Sequence, residues 1–180
     1  MAVPERVPDL IRSGLLAALE ARGYPLYLHG ETGTGKTCIA ALLYQRFLGY
    51  AAWCSCRSLL RDMATWRTDP AFQVPWLMAS GNVCRRPAAN AWQDLTDPEW
   101  LVCLDDVGTR PLSDAQSEIL CDLLDARGTA QLIVTGNHGK DDLEKFLDPR
   151  IVSRLCRGTV IEIKGADKRE SAQLEVSANG

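Results

Sequence analysis

Apolar positions along this chain follow two rhythms, short continuous runs and stretches at helical spacing, and the two alternate. Ile11, Leu15, Ala18 and Leu19 lie at helical spacing between Pro8 and Gly23, which predicts a helix over 9–22. The run Tyr24–His29 predicts a buried strand, and a glycine-rich turn follows at 30–35. Ile39, Leu42, Leu43 and Phe47 then predict a helix over 36–48, with Gly49 as its C-cap. Tyr50–Cys54 reads as a second strand and Arg57–Thr65 as a helix. Leu101–Asp105 is an apolar run ending in acid, and so a buried strand. Ser113–Gln116 is a capping box opening a helix whose buried face is Ile119, Leu120, Leu123 and Leu124, with Gly128 closing it. Gln131–Thr135 predicts a strand and Asp141–Leu147 a short helix. Asp148 and Pro149 supply an N-cap and first-turn proline for Arg150–Cys156, and Val160–Ile163 is a last short strand.

Buried strands alternating with helices argue for an α/β protein built on an open parallel sheet. Only Trp66–Pro98, with four prolines and no clean period, reads as loops and short helices. One domain over residues 1–169 is expected, with 170–180 at the end of a polar, mobile tail that begins at Gly165. With 180 residues, 46% hydrophobic and 24% charged, the chain can bury a full core without disulfides. Seven scattered cysteines read as reduced thiols, and Cys54-Ser55-Cys56 lacks the spacer of a zinc knuckle. No apolar run is long enough to span a bilayer, and the N-terminus lacks the apolar core of a signal peptide, so a cytoplasmic protein away from membranes is expected. A net charge of −3 excludes a chain-wide basic footprint for nucleic acid.

The candidate chemistry begins at Gly30-Glu31-Thr32-Gly33-Thr34-Gly35-Lys36-Thr37, which satisfies G-x-x-x-x-G-K-[ST] at every fixed position. Glycines let successive backbone N–H groups wrap a triphosphate, and the following helix N-terminus adds partial positive charge. Lys36 is expected to reach the β- and γ-phosphates of ATP, and Thr37 to ligate Mg²⁺. Leu101–Asp106 resembles a Walker B strand, in which Asp105 would hold the metal and Asp106 would orient or deprotonate the attacking water. Asn137, past the strand Gln131–Thr135, is a candidate for holding that water or the γ-phosphate; a turn-forming Asn is the alternative. Arg150 and Arg154 share one face of a short helix, either as solvated surface arginines or as donors to phosphate.

A P-loop, a hydrophobic-Asp-Asp strand, a strand ending near Asn137 and the run Asp148–Leu155 occur in that order, over about residues 24–169. The chain thereby resembles the AAA+ ATPase core of the DnaC-type helicase loaders and their IstB-type transposition relatives. Leu104–Leu112 and Lys164–Arg169 resemble that subgroup in particular. The resemblance implies a five-stranded parallel sheet flanked by helices, with the sensor strand beside the P-loop strand and no C-terminal helical lid. It implies Asn137 as sensor 1 and Arg154 as an arginine finger. It also implies a homo-oligomer with ATP between subunits, a hexameric replicative helicase as client and a role in DNA replication. A transposase client, or an adaptor switched by ATP without hydrolysing it, is the alternative. Asp106 stands where many AAA+ proteins carry Glu, which implies slow hydrolysis, and only 29 residues precede Gly30, fewer than the helicase-docking domain of the loaders needs.

Residues 57–95 interleave Arg57, Arg61, Arg67, Arg85 and Arg86 with Trp66, Phe72, Trp76 and Trp92. Such a segment can track single-stranded DNA and stack its bases. It can equally be a covering layer whose tryptophans pack on the sheet, since five Arg against three Asp leave only +2 from Arg57 to Leu95.

Overall fold

The computed structural model describes residues 23–47, 49–77 and 83–164. The helix expected over 9–22 and the tail from Gly165 lie outside the described residues.

Five strands form one sheet: β1 (Leu26–His29), β2 (Ala51–Ser55), β5 (Leu101–Val107), β6 (Leu132–Gly136) and β7 (Thr159–Glu162). Their order is β2-β5-β6-β1-β7, and every neighbouring pair is parallel. Strand β6, which the resemblance reads as the sensor strand, therefore lies beside β1, the strand that leads into the glycine-rich loop, as the resemblance implies. All the C-terminal ends point the same way, and open α/β sheets bind ligands along that edge.

The central strands are apolar up to their C-terminal ends because both faces are covered. Leu26, Leu28, Leu101, Cys103 and Ile133 meet Ile39, Leu42 and Leu43 of α1 (Lys36–Arg46) on one face. On the other face, Tyr27, Val102, Leu104 and Val134 pack beneath α2 (Cys56–Thr68), α3 (Ala88–Thr96), α4 (Asp114–Arg127) and α6 (Pro149–Leu155). Alternation along β1 and β5 thus feeds two separate cores. Each large apolar side chain so buried contributes about 1.5–3 kcal/mol.

The expected helix ends mostly hold. Ser113 and Gln116 form the capping box of α4, and Asp148 accepts the Arg150 N–H at 2.7 Å with Pro149 in the first turn of α6. The helix expected over 141–147 is shorter, α5 (Lys140–Leu143), followed by turns. Gly49 is not the C-cap of α1; the extended Phe47 is, its N–H bonded to the Tyr44 carbonyl. The stretch 66–98 also departs from the loops expected of it. Helix α2 runs on to Thr68, and an antiparallel hairpin follows, β3 (Gln73–Leu77) on β4 (Val83–Pro87). Val74 and Trp76 are buried while Gln73 and Pro75 are exposed. That alternation is the strand signal, hidden by a proline in each short strand.

Arg127 is the least expected member of the core. Only 2% exposed, its guanidinium donates to the carbonyls of Leu95, Asp97, Trp100 and Gln131. Burial lowers its pKa to about 10, and no carboxylate is among these acceptors. It ties the segment leading into β5 to the segment leading into β6.

Candidate nucleotide site

The glycine-rich motif Gly30–Thr37 leaves the end of β1. Gly30, Gly33 and Gly35 have φ of 147°, 85° and 96°, in the region that favours glycine. Gly30 is also required for space, because a Cβ there would lie 2.2 Å from the Ile163 carbonyl oxygen. Thr34 closes the loop on itself, its hydroxyl donating to the Glu31 carbonyl at 2.9 Å. Glu31 and Thr32 are exposed at the loop's outer edge. The Lys36 ammonium folds back over the loop and donates to the carbonyls of Gly30 (2.9 Å) and Glu31 (2.6 Å).

Helix α1 puts Thr37 opposite the acidic end of β5. The Thr37 hydroxyl donates to Asp105 Oδ1 at 3.1 Å. The same carboxylate oxygen accepts from the Thr135 hydroxyl at 2.6 Å, and the Thr135 oxygen accepts the Asp106 N–H at 3.0 Å. The P-loop helix, β5 and β6 are therefore joined by a side-chain relay, Thr37–Asp105–Thr135.

A β-bulge makes that relay possible. Leu104 pairs with Val134 and Val107 with Gly136, so Asp105 and Asp106 together face Thr135 alone. Strand β5 consequently runs to Val107, beyond the expected end at Asp105. Asp106 takes φ of 61°, a left-handed conformation that Asp adopts more readily than most residues. The bulge leaves Asp105 half-buried in the relay and Asp106 exposed.

Asn137 follows β6 directly, half-buried in a short loop that begins two residues after Thr135. The motif residues 30–37, Asp105, Asp106 and Asn137 are thus gathered at the ends of three adjacent strands. Arg154 stands apart on α6. Its guanidinium pairs with Asp125 of α4 and donates to the Arg150 carbonyl at 3.0 Å. Arg150 is held by Asp148 at 2.9 Å.

The donor set fits a divalent cation of the Mg²⁺ type. A hydroxyl and a carboxylate lie 3.1 Å apart, both hard oxygen donors. Among the described residues no group of three or more His, Cys, Asp and Glu could hold a metal, so nucleotide oxygens or water must complete such a site.

Thr135 was not among the residues singled out from sequence. Its signal was a polar residue, wholly buried, at the end of a strand otherwise apolar. In the segment 57–95, Trp76 is buried, and Trp66 and Trp92 pack against the core. Arg67 pairs with Glu118 and Asp122, Arg86 with Asp94, and Arg61 with Asp62. The tryptophans pack as a covering layer, and three of the five arginines are held in ion pairs.

No family model and no curated protein matches this chain by sequence. Solved structures do match it. The DnaC helicase loader superposes with a TM-score of 0.64 at 19% identity, over 85% of this chain and 89% of that one. DnaI gives 0.64 at 20%, over 91% of each chain. A replication initiator DnaA bound to AMPPCP and single-stranded DNA gives 0.66 at 16%, over 91% of this chain and 51% of that one. The chain spans about half the length of the DNA replication initiation factor and of the DnaA structures bound to AMPPCP, 72% of a DnaA domain III structure, and most of the DnaC and DnaI chains in their structures. Sheet order, the placement of the glycine-rich loop and these superpositions agree that the chain shares the fold of the DnaC and DnaI structures.

Proposed function

We propose that this chain is a Mg²⁺-dependent ATP-binding and ATP-hydrolysing protein, a single ATPase domain that acts as a helicase loader in DNA replication. The observation that carries the reading is the relay Thr37–Asp105–Thr135 beside a complete P-loop. Support for a loader comes from the superpositions on the DnaC and DnaI structures, which extend over 85% and 91% of this chain. In this reading it assembles with copies of itself, ATP lying between subunits, and binds a hexameric helicase and single-stranded DNA. Among the described residues no helix is long and apolar enough to cross a membrane.

The chain's own groups have distinct tasks. The P-loop amides and the α1 N-terminus take the phosphates. Lys36 exchanges the Gly30 and Glu31 carbonyls for β- and γ-phosphate oxygens. Thr37 and Asp105 would hold a Mg²⁺ ion, whose charge would offset that of the phosphates. Asp106 takes a proton from the attacking water, and Asn137 orients that water or the γ-phosphate. Arg154 stabilises transition-state charge on the ATP of a neighbouring subunit. The short side chain of Asp106 favours slow turnover, and at its limit an ATP-driven switch.

Calorimetry of Mg-ATP binding to the wild type and to Lys36→Ala tests the reading. Binding is expected in the first and lost in the second, with circular dichroism unchanged. A wild type that binds no ATP, or a Lys36→Ala variant that binds it equally well, overturns the assignment. Turnover measured with and without single-stranded DNA then separates an ATPase from a switch.

A further inference from the structure

Tyr27 is wholly buried in β1, three residues ahead of Gly30. Burial alone would make it a core residue, and a Phe would fill the same space. Its hydroxyl does something a Phe could not. It passes beneath β6 and donates to the main-chain carbonyl of His138 at 2.7 Å, joining residues 111 apart in sequence. Gly136 makes room for it, since a Cβ there would lie 2.3 Å from the Tyr27 oxygen.

The residues around Asn137 are each held. Gly136 is paired to His29 in the sheet. His138 is fixed twice, by its carbonyl on Tyr27 and by its ring, which stacks on Phe146 with centroids 4.5 Å apart. Gly139 lies against His29, whose ring would be 3.4 Å from a Cβ at Gly139 and is itself stacked on Tyr27 at 5.7 Å. Asn137 is left at the apex of a loop clamped on both sides. A phenol that carries one proton and is buried from water remains a donor across the working pH range, because burial raises its pKa further above the ordinary value.

We infer that the Tyr27 hydroxyl is a positioning group that ties the P-loop strand to the Asn137 loop and holds Asn137 in register with the terminal phosphate of the nucleotide. The inference rests on the reading of Asn137 given above. It makes recognition of the γ-phosphate depend on a residue that touches no phosphate.

The test compares the affinities of the full chain for ADP and for AMPPCP, so it needs no turnover. The wild type is expected to bind AMPPCP more tightly than ADP in proportion to its contacts with the third phosphate. Tyr27→Phe should leave ADP affinity unchanged and reduce that preference roughly fivefold, the size of one ordinary hydrogen bond. Asn137→Ala should reduce it at least as much, and Tyr27→Phe/Asn137→Ala should be no worse than Asn137→Ala alone. A preference unchanged in Tyr27→Phe, or losses that add in the double variant, overturns the inference while leaving the ATP site intact. An Asn137→Ala variant with the wild-type preference overturns it through the sensor assignment. Absence of nucleotide binding by the wild type overturns the proposed function and this inference together. Should Tyr27→Phe melt below the assay temperature, Phe146→Leu, which frees the ring of His138 from the opposite side, carries the same expectation and the same refutation.

Discussion

Thr135 donates its hydroxyl hydrogen to Asp105 Oδ1 across 2.6 Å, and with the same oxygen accepts the Asp106 amide hydrogen. One side chain on β6 thus fixes the carboxylate of one acid and the backbone of the next. Thr135→Val keeps the shape and removes both bonds. We expect a stability loss of about 1–3 kcal/mol in denaturant titration, since a donor inside the fold is left unmatched. We also expect a higher Mg²⁺ concentration for half-maximal turnover, and Thr135→Ser should restore both. A variant with wild-type metal dependence would show that Asp105 is oriented by other groups.

The bulge at Asp106 makes a prediction about side-chain type. Asn tolerates left-handed backbone at least as well as Asp, so Asp106→Asn should fold and bind ATP normally while losing turnover. Ala pays a conformational penalty at such a position, and Asp106→Ala should lose roughly 1 kcal/mol in addition to turnover. Turnover by Asp106→Asn at the wild-type rate would remove the role assigned to Asp106.

Arg154 is positioned by Asp125, and the two variants at Arg154 and Lys36 form a complementation pair. Arg154→Ala alone should bind ATP and hydrolyse it poorly, and Lys36→Ala alone should not bind. Mixed, Lys36→Ala subunits can lend Arg154 to the intact P-loops of Arg154→Ala subunits, and some activity should return. A mixture as inactive as its parts, although mixed oligomers form, refutes action in trans.

The Asp125–Arg154 pair also has a pH signature. The hydrogen bond from Arg154 holds the Asp125 pKa below its ordinary value. The pair's stabilisation is therefore complete above about pH 4, the unfolded carboxylate value, and is lost as pH falls through the lower folded value. Melting temperatures of the wild type and Asp125→Asn should converge over that acid range. A gap that stays constant down to the acid limit would show that the carboxylate charge contributes nothing.

If the segment 57–95 contacts single-stranded DNA, the arginines that are exposed must do it. Arg61 and Arg85 both face solvent. Arg61→Ala and Arg85→Ala should weaken binding, and wild-type affinity should fall as salt rises. Fluorescence anisotropy that shows binding indifferent to both, or none, leaves the segment its packing role alone.

What the sequence made legible was whatever depends on neighbours in sequence. The P-loop, the capping box at Ser113 and the proline start of α6 are local devices, and each stands where the pattern put it. The hairpin β3–β4 was missed because Pro75 and Pro87 mask its alternation and its strands have only five residues each. Thr135 and Tyr27 escaped for a different reason. Their partners lie 30 and 111 residues away, and only the parallel packing of β1, β5 and β6 brings them together.

Arg127 gives the foot of the sheet an importance out of proportion to its distance from ATP. Its four carbonyl acceptors act as a non-covalent cross-link beside the backbone bond from the Val102 N–H to the Gln131 carbonyl, and one of them, Trp100, lies five residues below Asp105, or about 17 Å along an extended strand. Loosening that end would let β5 slip against β6, and a bulge that places two acids opposite one threonine has little tolerance for slippage. Lys carries the charge but cannot span four carbonyls with a single ammonium. Arg127→Lys is therefore the natural source of a temperature-sensitive allele: competent when cool, and on warming losing the alignment of its acids from a lesion at the opposite end of the strand.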